Sequence, residues 1–124
     1  MKKINNNTYP LVKVSNSEFI EGYWFPSSPS DKDYDIGYPV PIKTNIPIDE
    51  IFLNKLCLMS NKHAMKLHYN GYSKCRICGC NNGNVEFVLE KDGIKFRYPE
   101  GLMHYYEIHN VQPSKEFFDF IINY

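Results

Sequence analysis

The chain has 124 residues and a mass of 14.6 kDa, a length that a single hydrophobic core can serve. Lysine plus arginine equals aspartate plus glutamate at 14 each, and this zero net charge argues against a general nucleic-acid binder that relies on excess positive charge. Aromatic residues make up 15% of the chain, which argues against a disordered protein, because disordered chains are poor in aromatics.

The amino-terminal sequence does not predict export. It reads MKKINNNTYP and places asparagines where a signal peptide has an apolar run of about 7–15 residues. No apolar run reaches the roughly 18 residues that a membrane span requires. We therefore expect a soluble, cytoplasmic protein with no membrane partner. Because thiols stay reduced in that compartment, clustered cysteines there indicate metal binding or catalysis rather than disulfides.

The composition changes along the chain, and we predict an α+β fold in a single domain over residues 1–124. Six of the eight prolines lie in residues 1–47, which are predicted to form extended segments and turns because proline blocks helices. Residues 48–69 are predicted to form one helix and one strand. Residues 70–124 are predicted to form a metal-binding knuckle, a β-hairpin and a helix, with a short helix at the carboxyl terminus.

The second part opens with a helix signal. Asn45 is expected to cap the helix, Pro47 suits its first turn, and Asp49 and Glu50 suit the positive end of the helix dipole. Apolar residues then recur three or four positions apart, as one face of a helix requires. They are Ile48, Ile51, Phe52, Leu56 and Met59.

Alternating segments predict four β-strands. Two of them are residues 9–14 and 64–69, and the loop at 27–35 is predicted to be exposed. The clearer pair, 85–90 and 94–98, flanks Asp92-Gly93 and therefore predicts a hairpin.

Two helices are predicted after the hairpin. Pro99-Glu100-Gly101 opens the first over residues 102–109, and Asn110 can end it in the left-handed conformation. Ser114 can cap the second, over residues 115–122. We expect this last helix to be largely buried, because apolar residues occupy most of its faces.

One motif, Cys75-Arg-Ile-Cys78-Gly79, carries metal-binding chemistry. Two thiolates at this spacing can bind one ion, because the turn directs both sulfurs inward and the glycine lets backbone N–H groups face them. The later helix carries His104 and His109, whose spacing is in the range of zinc fingers. Since five residues advance a helix by about 500°, His109 is expected at the helix end. These four residues predict a closed, structural site for one Zn²⁺ per chain, and no catalytic residues.

Other cysteines and histidines leave alternatives open. Cys80 could replace a histidine as a ligand or only lie close to the metal. The Cys-x2-Cys pair could be a redox dithiol, but that needs a βαβ context, whereas a hairpin follows here. Cys57 is expected in the core, because free cysteine is among the most buried residue types. His63 and His68 are expected at the surface.

The residues around the motif resemble a group of short bacterial proteins of unknown function. Their pattern runs C-R-x-C-G-x-x-N-G, then W-P-E-G-L-x-H-Y-V-x-x-H-x-V-x-x-P, and the likeness covers roughly residues 70–118. Tyr98 stands where the pattern has Trp, and Cys80 stands at a position that the pattern leaves free. The resemblance implies one zinc-finger-like unit, made of Cys75, Cys78, His104 and His109. It implies no activity.

We favour a non-enzymatic protein-binding module, of an accessory or immunity-like kind, stabilised by zinc. Small domains often add a metal when the core alone is marginal. The aromatic segment Tyr23-Trp24-Phe25 and the loop before Tyr34 and Tyr38 are candidate contact surfaces, because Tyr and Trp dominate interface energetics. We favour the alternative, in which these aromatic residues pack in the core. The sequence does not name the protein partner.

Two other functions remain open. Residues 54–84 contain no acidic residue and interleave Tyr69 and Tyr72 with positive charge, a composition that suits single-stranded nucleic acid or nucleotides. The positive residues are Lys55, Lys62, Lys66, Lys74 and Arg76. A zinc-dependent hydrolase would instead need an open metal position and a base such as Glu100 or Glu107, and four good ligands argue against it.

Overall fold

The computed structural model describes residues 9–23, 39–69 and 73–124. The strands are β1 (Leu11–Lys13), β2 (Glu18–Glu21), β3 (Met65–His68), β4 (Val85–Lys91) and β5 (Ile94–Pro99). The helices are α1 (Glu50–Lys62), α2 (Leu102–His109) and α3 (Lys115–Ile122). The strands form one sheet in the order β1-β2-β5-β4-β3, so the predicted mixture of helices and sheet is confirmed. None of these helices is long and apolar enough to cross a membrane.

Strands β1 and β2 of this sheet both come from the proline-rich first part of the chain, and β2 was not among the predicted strands. The strand expected within 9–14 is present as β1, and it pairs antiparallel with β2. Strand β2 pairs in parallel with β5, where the rings of Phe19 and Phe96 stack with centroids 5.2 Å apart. Pairing with a distant strand therefore stabilises a segment whose own pattern is too short to predict one. The loop expected at 27–35 lies outside the described residues.

Helix α1 begins later than expected, and its cap differs. Asp49 is the residue that caps it, since its side chain accepts a hydrogen bond from the amide of Phe52 at 2.9 Å. The prediction that Asn45 caps α1 is therefore wrong. Ile51 was also assigned wrongly to the buried face, because it is 74% exposed while Phe52 beside it is fully buried. Neighbouring residues in a helix point about 100° apart, which separates these two side chains.

The core lies between one face of the sheet and the helices. Phe52 of α1 packs edge-to-face against Tyr106 and Phe117, with ring centroids 5.6 and 6.0 Å apart. Tyr98 of β5 is fully buried against Phe117. Cys57 is only half-buried, so the expectation of a core cysteine is wrong in degree. Such aromatic packing holds the sheet, α1 and α3 together.

Local turn and cap signals near the carboxyl terminus are confirmed. Asp92 and Gly93 both have positive φ, at 55° and 81°, which is the two-residue turn that suits a hairpin. Ser114 caps α3 by accepting a hydrogen bond from the amide of Phe117 at 3.0 Å. Helix α3 is buried on one side only, contrary to our expectation, since Lys115 and Asp119 are exposed.

Candidate metal centre

The segment between β3 and β4 folds into the turn that carries the cysteines. The amide of Cys75 donates to the carbonyl of Cys80 at 2.9 Å, and the amide of Gly79 donates to the carbonyl of Cys75 at 2.8 Å. Gly79 has a φ of 78°, which favours glycine. The amides of Ile77 and Cys78 approach the sulfur of Cys75 at 3.4 and 3.5 Å. This is the arrangement that the Cys-x2-Cys-Gly spacing predicts, with two backbone N–H groups facing the sulfur of Cys75.

Helix α2 supplies the two histidines. His109 is its last residue, and Asn110 follows in the left-handed conformation with a φ of 53°. The amide of Val111 donates to the carbonyl of Tyr105 at 3.1 Å and closes this helix end. The rings of His104 and His109 consequently lie 5.0 Å apart at 77° to one another. Ending the helix at His109 therefore compensates for a spacing that would separate the rings on a longer helix.

The ligand atoms of Cys75, Cys78, His104 and His109 all lie within 4.8 Å of one another, so the group could hold a metal ion. Two distances between sulfur and nitrogen are more specific. The sulfur of Cys75 lies 3.4 Å from Nε2 of His109, and the sulfur of Cys78 lies 3.4 Å from Nε2 of His104. A tetrahedral zinc site with ordinary bond lengths has sulfur–nitrogen separations of about 3.5 Å. The four residues that the sequence singled out are thus brought to coordination distance.

Electrostatics distinguish the exposed thiols. The backbone N–H of Cys80, followed by the side chains of His109, Cys80 and His104, lowers the pKa of Cys78 to about 5. The neighbouring Cys78 side chain raises the pKa of Cys80. Cys78 is therefore a thiolate at neutral pH, the form in which cysteine binds metals, whereas Cys80 keeps its proton.

Cys80 lies beside the four-residue group and outside it. Its sulfur is 3.4 Å from the sulfur of Cys78 and 3.5 Å from Nε2 of His104. It is not among the residues whose ligand atoms are all within 4.8 Å of one another. Cys75 is buried, Cys78 and Cys80 are exposed, and both histidines are half-buried. The group therefore has one protected and one accessible sulfur, with a further thiol next to the accessible one.

Sequence reasoning missed the contacts that join the knuckle to the strand and helix after it. Oε1 of Glu100 accepts hydrogen bonds from the amides of Asn84 and Val85 at 2.7 and 3.1 Å. Gly83 has a φ of 89°, and a Cβ there would lie 2.2 Å from the same carboxylate oxygen. The N-G and P-E-G parts of the motif pattern contain these residues, but only their pairing in space reveals their role.

A second missed contact ties α2 directly to the cysteine turn. The amide of Arg76 donates to the hydroxyl of Tyr105 at 2.7 Å, and Tyr105 is buried. Burial is the main cause that raises the pKa of Tyr105, so its hydroxyl stays protonated and neutral. The guanidinium of Arg76 also donates to the carbonyl of Pro39 at 2.7 Å. Two neutral acceptors, the hydroxyl of Tyr105 and the carbonyl of Pro39, therefore hold the turn through Arg76. Neither contact requires a metal ion.

Other residues singled out in the sequence lie apart from this group. His63 and His68 are exposed, as expected. Tyr23 is 2% exposed and packs edge-to-face on Tyr105 at 5.0 Å, so it belongs to the core, as the favoured interpretation of this segment predicted, and not to a contact surface. The remaining members of that candidate surface, together with Tyr72, lie outside the described residues; they are Trp24, Phe25, Tyr34 and Tyr38.

No protein-family model, curated protein or solved structure matches the chain. The resemblance to short bacterial proteins therefore stays a prediction. The geometry itself gathers two thiols and two imidazoles at one point.

Proposed function

We propose that the chain is a small zinc-binding protein in which Cys75, Cys78, His104 and His109 hold one structural Zn²⁺. The observation that carries the proposal is the mutual distance of their ligand atoms, all within 4.8 Å. Thiolate and imidazole together favour zinc over harder cations such as magnesium or calcium. Four protein ligands fill a tetrahedral shell, which is typical of structural rather than catalytic zinc.

The position of the site explains what an ion would contribute. Cys75 and Cys78 precede the hairpin, whereas His104 and His109 follow it, so one ion would connect both ends of the β4–β5 unit. When zinc is bound it supplies cross-linking energy, because such a site does not exist in the unfolded chain. The ion would then add stability to a knuckle that its own hydrogen bonds already shape, as small domains often require.

The contacts of two glutamates argue against the hydrolase alternative. Glu100 uses its carboxylate on the amides of Asn84 and Val85, and a general base needs a carboxylate free to take a proton from water. Glu107 is exposed and faces Cys57, where burial first and the charge of Glu107 second raise the pKa of the thiol. We therefore propose a non-enzymatic protein of the cytoplasm.

Several residues of the basic stretch 54–84 already form contacts within the protein, so fewer are available to bind nucleic acid than the sequence indicates. Lys55 donates to the carbonyl of Ile122 at 2.7 Å, and Arg76 donates to the carbonyl of Pro39. The hydroxyl of Tyr69 donates to Glu86. Binding of single-stranded nucleic acid uses free cations and free aromatic faces, so these contacts favour the protein-binding alternative.

Strand β3 offers an edge to which a protein partner could add a strand. It is the last strand of the sheet, and all four of its residues are exposed. The amide of Tyr69 donates to Asn84 on the β4 side at 2.8 Å, and alternation then directs the amides of Lys66 and His68 away from β4. Within the described ranges no strand pairs with that side of β3.

The charge around this edge selects the partner. Lys62 and Lys66 are exposed, and within the described part of the chain neither forms an ion pair. No acidic residue occurs from Asn54 to Asn84, so a second copy of this edge would repel the first. The partner we propose is therefore an extended protein segment in which acidic and apolar residues alternate, pairing with β3 by β-augmentation.

Metal analysis tests the zinc proposal. Protein purified without added zinc is expected to contain one zinc per chain, and its cobalt-substituted form is expected to show the strong visible absorption of a tetrahedral site with thiolate ligands. Cys75→Ser should lose the metal, while Cys57→Ser, a cysteine outside the group, should keep it. Wild-type protein that folds without a stoichiometric metal would contradict the proposal.

The partner proposal has its own test. A labelled peptide in which valine and glutamate alternate is expected to bind, measured by fluorescence anisotropy. Lys66→Pro removes an amide that faces away from β4 and should abolish binding, because edge strands tolerate proline but then cannot donate at that position. Lys66→Ala, which removes only the charge, should weaken binding. Equal affinities for the two variants would contradict edge pairing.

A further inference from the structure

The contact between Cys78 and Cys80 has a chemical consequence beyond metal binding. Their sulfurs are 3.4 Å apart, and both side chains are exposed. Cys75, the other sulfur ligand, is 1% exposed and therefore shielded from dissolved oxidants. A reagent arriving from solution reaches Cys78 and Cys80 first.

The two cysteines are close in the chain as well as in space. Only Gly79 separates them, and a Cβ built on it would meet no atom within 4 Å. A disulfide bond is about 2.05 Å long, so the sulfurs need to move closer by only about 1.4 Å.

We propose that Cys78 and Cys80 form a reversible disulfide under hydroperoxides and that this bond releases the metal. The inference rests on the proposed zinc site. A sulfur engaged in a disulfide is no longer a thiolate and is a poor metal ligand. Oxidation would leave only Cys75, His104 and His109 on the ion, and three ligands hold zinc less tightly than four.

The electrons and atoms of this step balance with hydrogen peroxide as the oxidant. The sulfur of Cys78 attacks one peroxide oxygen, the O–O bond breaks, and hydroxide leaves, which gives a sulfenic acid. The thiol of Cys80 gives its proton to hydroxide and its sulfur attacks the sulfur of Cys78, whose hydroxyl leaves as water once protonated. A thiolate and a thiol are thereby oxidised by two electrons, and one peroxide, with one proton taken from solvent, is reduced to two waters. A dithiol reductant reverses the bond by exchange.

Digestion with trypsin distinguishes a Cys78–Cys80 disulfide from a Cys75–Cys78 disulfide. Cleavage after Lys74 and Arg76 isolates Cys75 on a dipeptide, while Cys78 and Cys80 remain together on the peptide 77–91. A Cys78–Cys80 bond therefore lowers the mass of that peptide by about 2 Da without any cross-link, because two hydrogens are lost. A Cys75–Cys78 bond would instead join the dipeptide to it.

The experiment treats zinc-bound protein with hydrogen peroxide and follows released zinc with a chromogenic chelator. Wild type is expected to release zinc as peptide 77–91 becomes lighter, and a dithiol with added zinc should restore the site. Cys80→Ser should bind zinc normally but release it about tenfold more slowly, because no neighbouring thiol completes the disulfide. Cys57→Ser should behave like wild type.

Two results would overturn the inference. One is release from Cys80→Ser at the wild-type rate, and the other is a cross-linked Cys75 dipeptide in oxidised wild type. Failure of the zinc proposal is a separate observation, since the starting protein would then contain no metal. The mass of peptide 77–91 would still report whether the disulfide forms.

Discussion

The side chain of Asn82 packs directly on the backbone of Gly101. Nδ2 of Asn82 donates to the carbonyl oxygen of Gly101 at 3.1 Å, and both residues are buried. Asn82 ends the cysteine turn, and Gly101 precedes α2, which carries both histidines. This one contact therefore sets the distance between the two pairs of candidate ligands before any ion is bound.

Gly101→Ala is expected to destabilise the protein through this contact. A Cβ at residue 101 would lie 2.2 Å from Cγ and 2.5 Å from the carbonyl oxygen of Asn82, and the latter is backbone that cannot move freely. Such overpacking costs about 1–3 kcal/mol of the free energy of unfolding. Urea unfolding of the zinc-saturated protein measures it. Asn82→Ala should partly rescue Gly101→Ala by removing the side-chain part of the clash.

A control separates the clash from backbone strain. Gly93→Ala places alanine at a φ of 81° with no atom within 4 Å, so it adds only conformational strain. That strain costs roughly 1–2 kcal/mol. Zinc affinity should fall in Gly101→Ala and stay unchanged in Gly93→Ala, because residue 93 is in the distant hairpin turn. Equal zinc affinities would argue that the Asn82 contact does not position the ligands.

Glu100 should be important for stability rather than for proton transfer. Glu100→Ala leaves the amides of Asn84 and Val85 without their acceptor, and each unsatisfied buried amide costs about 1–3 kcal/mol. Glu100→Gln keeps an acceptor oxygen and is expected to lose less than half as much. The measurement is again urea unfolding with zinc present. Similar losses for the two variants would contradict a role based on accepting these hydrogen bonds.

The sequence predicted correctly those turns and helix ends whose conformation depends only on residues nearby in the chain. Asp92-Gly93 predicts its hairpin turn, Ser114 its cap and Asn110 its helix end, because each acts within a few residues. The strand β2 was missed, since its stability comes from pairing in parallel with β5 more than 70 residues later. Whether Ile51 is buried or exposed likewise depends on which face of α1 packs on the rest of the protein, and that is set by residues distant in the chain.

The candidate site shows the same division. Spacing alone selected Cys75, Cys78, His104 and His109, because the chemistry of zinc restricts ligand types and distances. The contacts of Glu100 with Gly83 and of Tyr105 with Arg76 join segments that are 17 to 29 residues apart along the chain, and no local pattern predicts which residues meet.

Removal of the metal is expected to destabilise the whole carboxyl-terminal unit. A ligand bound only by the folded state stabilises it by about 2.7 kcal/mol when its free concentration is 100 times its Kd. A strong chelator should therefore lower the midpoint of thermal unfolding of wild type. His104→Ala should unfold as early as the chelated protein and no longer respond to chelator. His68→Ala, an exposed histidine outside the group, should respond as wild type does.

The buried carboxyl of Glu21 predicts an unusual dependence of stability on pH. It is fully buried and accepts hydrogen bonds from the amide and hydroxyl of Ser114 at 2.8 and 2.7 Å. Burial raises the pKa of Glu21 from 4.5 to about 8. Between these two values the folded state holds a proton that the unfolded state has lost. The contribution of Glu21 is therefore fully present below about pH 4.5 and is lost as the pH rises to about 8.

Comparing Glu21→Gln with wild type isolates this effect. The proposed zinc site is the same in both proteins, so its contribution cancels in the difference between their free energies of unfolding. That difference should change in favour of Glu21→Gln from pH 5 to pH 8, by up to about 1.4 kcal/mol per pH unit for one proton. Above pH 8 it should become constant, because both states of wild type are then ionised. Parallel pH profiles for the two proteins would show that Glu21 is ionised throughout, with the hydrogen bonds from Ser114 outweighing the cost of burial.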